Sequence, residues 1–400
     1  MKVSALCLYR VTVMNVKELD KEYVAATYAR FPVCLTAGKG SKVYDDEGKE
    51  YIDLGTGIAV NTFGYSDSEW VSAVVEQLAK LQHTSNLYYS EPCALLAEQL
   101  CLRTGMKKVF FSNSGAEANE CAIKTARKYG EKNKGSEYTT IITLKDSFHG
   151  RTVTTLAATG QDVFHKDFLP LTDGFVYAEA NNIDDVKRLV NENKCCAVMF
   201  EVVQGEGGVR PLTADFVKGL DAVAKENDLL LIADEVQTGN GRTGMLYGYM
   251  NFGITPDIVS TAKGLGGGLP IGATLMGEKV KDILGAGMHG STFGGNPVCC
   301  AGALNILSRI TDDLLEGVRE KSEYIFRELN GSKGIKNVSG MGLMIGVECE
   351  KDASDVIAKC REQGVIVIKA KHKVRLLPAL NIEMDELKKA IGVLKEVCAE

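Results

Sequence analysis

No apolar run in this chain approaches the ~18 residues that a membrane-crossing helix needs, so no helical span is expected in its 400 residues. Nor is there an excess of positive charge. Lys and Arg number 46 against 52 Asp and Glu, a formal net charge of −6, which argues against binding to nucleic acid or to an anionic membrane. Histidine is scarce, at five residues, and no CxxC or Cys/His cluster has metal-site spacing, so no metal is expected. No Ser/His/Asp arrangement emerges, and there is no internal repeat, low-complexity stretch or long linker. The opening MKVSALCLYRVTV is not read as a signal peptide, because Arg10 interrupts its apolar run and no small-residue cleavage site follows. Since the polar, helix-like NVKELDKEY begins directly after Met14, Met14 competes with Met1 as the start.

What is present is glycine, 42 residues, much of it at the ends of apolar runs, where tight βα turns need it. There are also 12 cysteines, including the adjacent pairs Cys195–Cys196 and Cys299–Cys300. Cys121, Cys195 and Cys349 lie inside apolar runs, where free cysteine behaves as a small hydrophobe. That usage predicts a reducing, cytoplasmic setting. Over residues 33–54 two alternating segments, SKVYD and KEYIDL, flank the turn DDEG and predict a hairpin. Helical periodicity follows in SEWVSAVVEQLAKL and EPCALLAEQLCLRTG. From Lys108 onward, strand-like KKVFFSN, TTIITL, CCAVMFE, LLLIAD and DIVST alternate with helical segments, which predicts an α/β fold with a parallel sheet covered by helices. After Pro297 the pattern turns to long helices and short mixed pieces. The expected division is residues 1–61 contributing to a small α+β domain, 62–296 forming the large domain, and 297–400 completing the small one.

Two of the apolar runs each end in one ionisable residue of opposite sign, Asp234 in LIADEVQ and Lys263 in STAKGLGGG. Ligands of open α/β sheets sit beyond the carboxyl ends of strands. A lysine and a carboxylate brought there suit pyridoxal 5′-phosphate (PLP), whose aldehyde needs an amine and whose ring nitrogen needs an acid. In VFFSNSGAEANE a strand runs into Ser114-Gly115-Ala116-Glu117, a capping box whose helix start could hold a phosphate, although an ordinary capped helix reads the same way. In SFHGRT, Phe148 could stack on a planar ring and Arg151 could fork a carboxylate. Arg375 stands among apolar residues in VRLLPAL, where it needs a carboxylate from substrate or from Glu206 of EVVQGEGGV. His149 and His289 read as structural or loop histidines. The segment GNGRTG formally matches GxGxxG, but it does not link a strand directly to a helix, so it is not a dinucleotide site.

SGAEANECAIKTAR, SFHGRT, EVVQGEGGV, ADEVQTGNGRTG, AKGLGGGLPIGA, HGSTFGGNP and RLLPAL occur in that order. Together they resemble class III, ornithine-type aminotransferases of the fold-type I PLP superfamily, from about Asn15 to the end. The resemblance implies the aspartate aminotransferase-like fold: a large domain with a mostly parallel sheet, plus a small α+β domain. It implies Lys263 as the cofactor lysine, Asp234 as partner of the ring nitrogen, Gln237 as donor to the phenolic oxygen and Phe148 as the stacking aromatic. Ser114, Gly115 and Ala116 would hold the phosphate. Thr292 would reach the phosphate in a neighbouring subunit, making a homodimer with shared sites, with Ser291 beside it as a substrate contact. Arg151 would take one substrate carboxylate, Arg375 the α-carboxylate of the 2-oxo acid, and Glu206 would pair with Arg375 when the amino donor occupies the site. Within the family the match is to the branch that acts on N2-acetyl-L-ornithine with 2-oxoglutarate, in arginine biosynthesis. Gly57, where ornithine-specific members carry tyrosine, would leave room for the acyl group. The alternatives are ornithine, succinylornithine, 4-aminobutyrate or N-succinyldiaminopimelate as donor. A PLP racemase or aminomutase does not need the Arg151, Glu206 and Arg375 set. Tyr65, Val202 and Ala379 depart from the family's usual residues without removing a catalytic group.

Overall fold

The computed structural model describes residues 15–400. The choice of start and the reading of the leader lie outside the described residues. Among the described residues no helix is long and apolar enough to cross a membrane.

After the helix Val16–Tyr23 come β1 (Leu35–Lys39), β2 (Lys42–Asp45) and β3 (Glu50–Asp53), paired antiparallel in that order. The DDEG turn forms because the Asp45 carboxylate accepts from the backbone N–H of Glu47 and Lys49, at 3.0 and 2.8 Å.

The large sheet follows: β4 (Lys108–Ser112), β5 (Thr140–Leu144), β6 (Phe175–Ala178), β7 (Cys195–Phe200), β8 (Leu230–Asp234), β9 (Ile258–Thr261) and β10 (Gly272–Met276). Its order is β4-β10-β9-β8-β7-β5-β6. The block from β9 to β6 is parallel throughout. Every residue of β7 and β8 is buried, because helices cover both faces, so their sequences are unbroken apolar runs rather than alternating ones. Two strands of this sheet, β6 and β10, carry no clear mark in the sequence pattern. β10 runs antiparallel to both β9 and β4. The glycine-rich stretch after Lys263 has no crossover helix, so the chain returns beside β9 in the opposite sense.

A short antiparallel pair, Val203–Gln204 with Arg210–Pro211, stands apart, and the C-terminal strands are β11 (Ile335–Met341), β12 (Met344–Cys349), β13 (Val365–Ile366), β14 (Ile368–Ala370) and β15 (Lys373–Leu376). Four form an antiparallel sheet in the order β11-β12-β15-β14, while β13 pairs in parallel with β3 and so ties the N-terminal hairpin to the C-terminal region. A separate core lies here, with Val318, Ile325 and Leu329 under Ile345, Val347 and Leu376. The helix Pro297–Arg309 does not join it. Its Cys300, Ala303, Ile306 and Leu307 belong to the core of the large sheet. We therefore propose that the small domain resumes after Arg309 rather than at Pro297. Asn296 caps this helix and Pro297 opens it, which marks a helix start in the sequence but says nothing of which core its apolar face joins.

Between the two cores lies Thr56–Ala59, a single turn wound left-handed, with φ of 47°, 64°, 67° and 62°. Non-glycine residues cost roughly 1–2 kcal/mol each in this hand, so the turn needs support. Asp53 accepts from the N–H of Gly55 and Thr56 at 2.6 and 3.0 Å, and from the Tyr65 hydroxyl at 2.7 Å. The Thr56 hydroxyl donates to the Leu377 carbonyl at 2.6 Å.

Candidate active site

The parallel strands open their carboxyl ends on one cavity of about 450 Å³. After β5 comes Phe148 to Arg151, after β7 Glu201, at the end of β8 Asp234, and two residues past β9 Lys263; all line it. Lys263 sits at φ 44°, a left-handed conformation unusual for a side-chain-bearing residue and typical of functional turns. It forms no ion pair among the described residues. Burial holds its amine below the usual lysine range. Glu206, Asp234 and Glu201 oppose that shift, and Arg375 adds to it.

Asp234 is buried and fully engaged. Its Oδ2 accepts from Asn119 Nδ2 and faces His149 Nδ1, both at 2.7 Å, while Oδ1 accepts from the Val236 N–H at 3.1 Å. Asn119 also donates to the His149 carbonyl at 2.8 Å. Neither Asn119 nor His149 reads as a site residue from the sequence. The signal available was position alone: His149 follows Phe148, and Asn119 lies one turn into the helix after Gly115. Glu201, one strand over, accepts from the Phe148 and Gly205 N–H groups. Burial, together with the charge of Asp234, raises it to about 7 against the pull of His149 and these N–H groups.

That shift has a consequence for stability. A carboxyl raised in the folded state stabilises the fold below its unfolded value, 4.5, and the contribution is lost as pH rises through about 7. Glu235, also raised to about 7 by burial, behaves alike. In cofactor-free protein, Glu201→Gln should therefore flatten the fall in unfolding free energy between these pH values without abolishing it. Denaturant titrations across that range with an unchanged slope would rule this out.

At the start of the helix Gly115–Asn133, Ser114 Oγ accepts from the Glu117 N–H at 3.2 Å. Glu117 reaches back one residue further than a capping box would, to the Asn113 N–H at 2.7 Å. Gly115 and Ala116 keep N–H groups that the helix does not use. Gly115 has to be glycine, because a Cβ would lie 2.6 Å from Val236 Cγ1.

Across the cavity, Arg375 on β15 is 2% exposed. Its Nη1 donates to Glu206 Oε1 at 2.6 Å and to Gln237 Oε1 at 3.1 Å, and its Nη2 to the Lys369 carbonyl at 3.3 Å. Its Nε has no partner. Burial pushes the Glu206 carboxyl up, but the charge and hydrogen bond of Arg375 outweigh this and hold it below the usual range. Arg151 is exposed and forms no ion pair among the described residues; its guanidinium lies over the rings of Phe148 and Phe164, at 5.5 and 4.1 Å. Gly57 lies inside the left-handed turn, where a Cβ would make only ordinary contacts with Asn61 and Val60, at 3.7 and 3.8 Å. Its backbone conformation, as well as the space it leaves, favours glycine. Ser291 and Thr292 do not line this cavity. Ser291 Oγ accepts from Asn113 Nδ2 and the Gly294 N–H, at 3.1 and 2.9 Å. Thr292 is exposed. No group of His, Cys, Asp and Glu that could hold a metal occurs among the described residues.

A family model described as aminotransferase class-III matches residues 23–398. The chain belongs to the class-III aminotransferases. It is 48% identical to an acetylornithine aminotransferase of Haemophilus ducreyi over 388 residues, 96% of this chain and 99% of that one. It is 45% identical to an acetylornithine aminotransferase of Aquifex aeolicus over 377 residues, 94% and 99% of the two chains. Among solved structures, an ornithine aminotransferase from Toxoplasma gondii superposes with a TM-score of 0.94 at 29% identity, over 100% of this chain and 98% of that one. An N-acetylornithine aminotransferase from Stenotrophomonas maltophilia gives 0.83 at 34% identity, over 96% and 98%.

Class-III aminotransferases are PLP-dependent. The cavity of this one fits that group: a lysine free of ion pairs among the described residues and a buried carboxylate line it together, a helix end presents unused N–H groups, and Gln237 lies beside them with its amide oxygen held by Arg375. Lys263, Asp234, Phe148, Gln237, Gly115 and Ala116 all line the cavity and could hold it.

Proposed function

We propose that this aminotransferase moves the terminal amino group of N2-acetyl-L-ornithine to 2-oxoglutarate, giving N-acetyl-L-glutamate 5-semialdehyde and L-glutamate, as a step in arginine biosynthesis. The observation that carries this reading is the Glu206–Arg375 pair at 2.6 Å, over a cavity in which Arg151 is left without a carboxylate. Relatives at 42–48% identity that are named acetylornithine aminotransferases support it.

Bound PLP supplies an aldehyde for amines and a protonated ring that draws electrons from the reacting carbon. The chain's own residues do the rest. Asp234, steadied by Asn119 and His149, would hold the proton on the ring nitrogen. Lys263 Nζ, whose amine burial holds below the usual lysine range, would move the proton from the substrate's reacting carbon. Arg151 holds the α-carboxylate of acetylornithine, whose reacting end carries no carboxylate of its own. Glu206 then neutralises Arg375. When glutamate enters, Glu206 withdraws and Arg375 takes the α-carboxylate beside the reacting carbon. The same reading makes the protein a cytoplasmic homodimer with shared sites. Support comes from Ser291 and Thr292 lying outside their own cavity, from the exposed Leu87, Tyr88 and Tyr89, and from the described cysteines, which are all free.

Glu206→Ala should leave Arg375 unpaired, making glutamate a relatively better donor and acetylornithine a worse one. Half-reaction rate constants with each donor, in wild type and variant, test the switch: a ratio that stays put or moves toward acetylornithine removes it. A donor panel with 2-oxoglutarate as acceptor tests the substrate. Preference for free ornithine would sink the acetylornithine reading.

A further inference from the structure

Glu206 and Arg375 come from two separate arms, the loop 204–210 and the strand β15. A second ion cluster lies behind that pair. Four residues beyond Glu206, Arg210 Nη1 donates to Asp146 Oδ2 at 2.5 Å. Four residues before Arg375, the Lys371 ammonium pairs with the other oxygen, Asp146 Oδ1. Asp146 belongs to neither arm. It lies just past β5, so one carboxylate ties both arms to the large sheet.

The backbone is built for this contact. Asp146 and Lys371 both lie in the left-handed region, at φ 65° and 52°. A Cβ at Gly207 would come within 2.5 Å of the Asp146 carbonyl, so the loop rests directly on that residue. Gln204 Nε2 donates to the neighbouring Lys145 carbonyl at 2.8 Å.

We propose that Asp146 is a positioning residue, an outer clamp that holds the Glu206 loop and the Arg375 strand together and so sets how readily their ion pair opens. The proposal rests on the reading of that pair as the donor switch. Its energetic logic concerns geometry rather than stability. The three side chains are 33–46% exposed, and isolated pairs of that kind stabilise little. Without the carboxylate, however, Arg210 and Lys371 become like charges on the two arms and push them apart. The Glu206–Arg375 pair then opens more easily, which favours glutamate. Because the cluster is exposed, salt screens it. Salt should raise the glutamate-to-acetylornithine ratio in the wild type, where it weakens attraction. It should not raise it in a variant lacking the carboxylate, where it weakens repulsion.

Asp146→Asn is the variant to use, because asparagine tolerates the left-handed conformation. Single-turnover rate constants with glutamate and with N2-acetylornithine are measured at low and high salt in wild type, Asp146→Asn, Glu206→Ala and the double variant. The expected result is a rise in the ratio of about twofold to fivefold in Asp146→Asn, the loss of the wild-type salt response, and no further rise when Asp146→Asn is added to Glu206→Ala. An unchanged ratio in Asp146→Asn beside a shifted one in Glu206→Ala overturns the clamp and leaves the switch standing. If Glu206→Ala itself has no effect, the switch reading falls, and amide hydrogen exchange on cofactor-free protein decides the clamp. Faster exchange in both 204–210 and 369–375 in Asp146→Asn sustains it, and unchanged exchange in either overturns it.

Discussion

Replacing Lys263 with alanine is expected to remove turnover by on the order of 10⁴-fold or more, the upper end of what one positioned proton-transfer group contributes, while leaving the fold intact. Lys263 occupies a left-handed position at the end of β9 and forms no ion pair among the described residues, so its removal leaves no buried partner uncompensated. The cavity keeps Asp234, Phe148 and the helix end at Gly115, so PLP should still bind, without a covalent link. Borohydride reduction followed by peptide mapping checks the assignment. In the wild type the reduced cofactor should be recovered on the peptide containing Lys263, and in Lys263→Ala on no peptide. Recovery on another lysine would reassign the role. Small primary amines added to the variant should restore part of the activity, since the missing group is an amine held in place rather than a structural prop.

Asp234→Ala should cripple both half-reactions. Breaking a buried charged pair costs about 3–5 kcal/mol, which corresponds to about two to four orders of magnitude in rate. The same change leaves the buried Asn119 amide and His149 ring without their acceptor, and each unsatisfied group costs about 1–3 kcal/mol. A lowered unfolding midpoint should therefore accompany the loss of rate. Asp234→Asn separates the two effects, because it keeps volume and one acceptor oxygen but no charge. Its midpoint should recover more than its rate. Near-normal single-turnover rates with glutamate in either variant would mean that the ring nitrogen is served by another group.

Some of this site can be read directly along the chain, because the relevant signals are local. A buried parallel strand is an unbroken apolar run, and the first ionisable residue after it lands at the sheet's carboxyl edge. Asp234 and Lys263 announce themselves in this way. The helix start at Ser114 is equally local, since a cap and its N–H lie within a few residues of each other. Other parts have no such mark. Asn119 and His149 meet Asp234 from 115 and 85 residues away, and nothing in their own segments says so. An asparagine inside a helix and a histidine in a loop look the same whether or not a carboxylate waits across the sheet.

Composition and periodicity by themselves determined the α/β class, the run of strands from Lys108, the lysine and the acid, and the need of Arg375 for a partner, because each follows from local propensity or from the cost of burying charge. Only the tertiary structure decided the reversal of β10, the attachment of the helix Pro297–Arg309 to the large core, the left-handed turn at Thr56–Ala59, and the convergence of Arg210 and Lys371 on Asp146. These depend on which surfaces meet after long loops close. That choice is made by the summed packing of distant segments, to which no short stretch of sequence holds more than a small part of the answer.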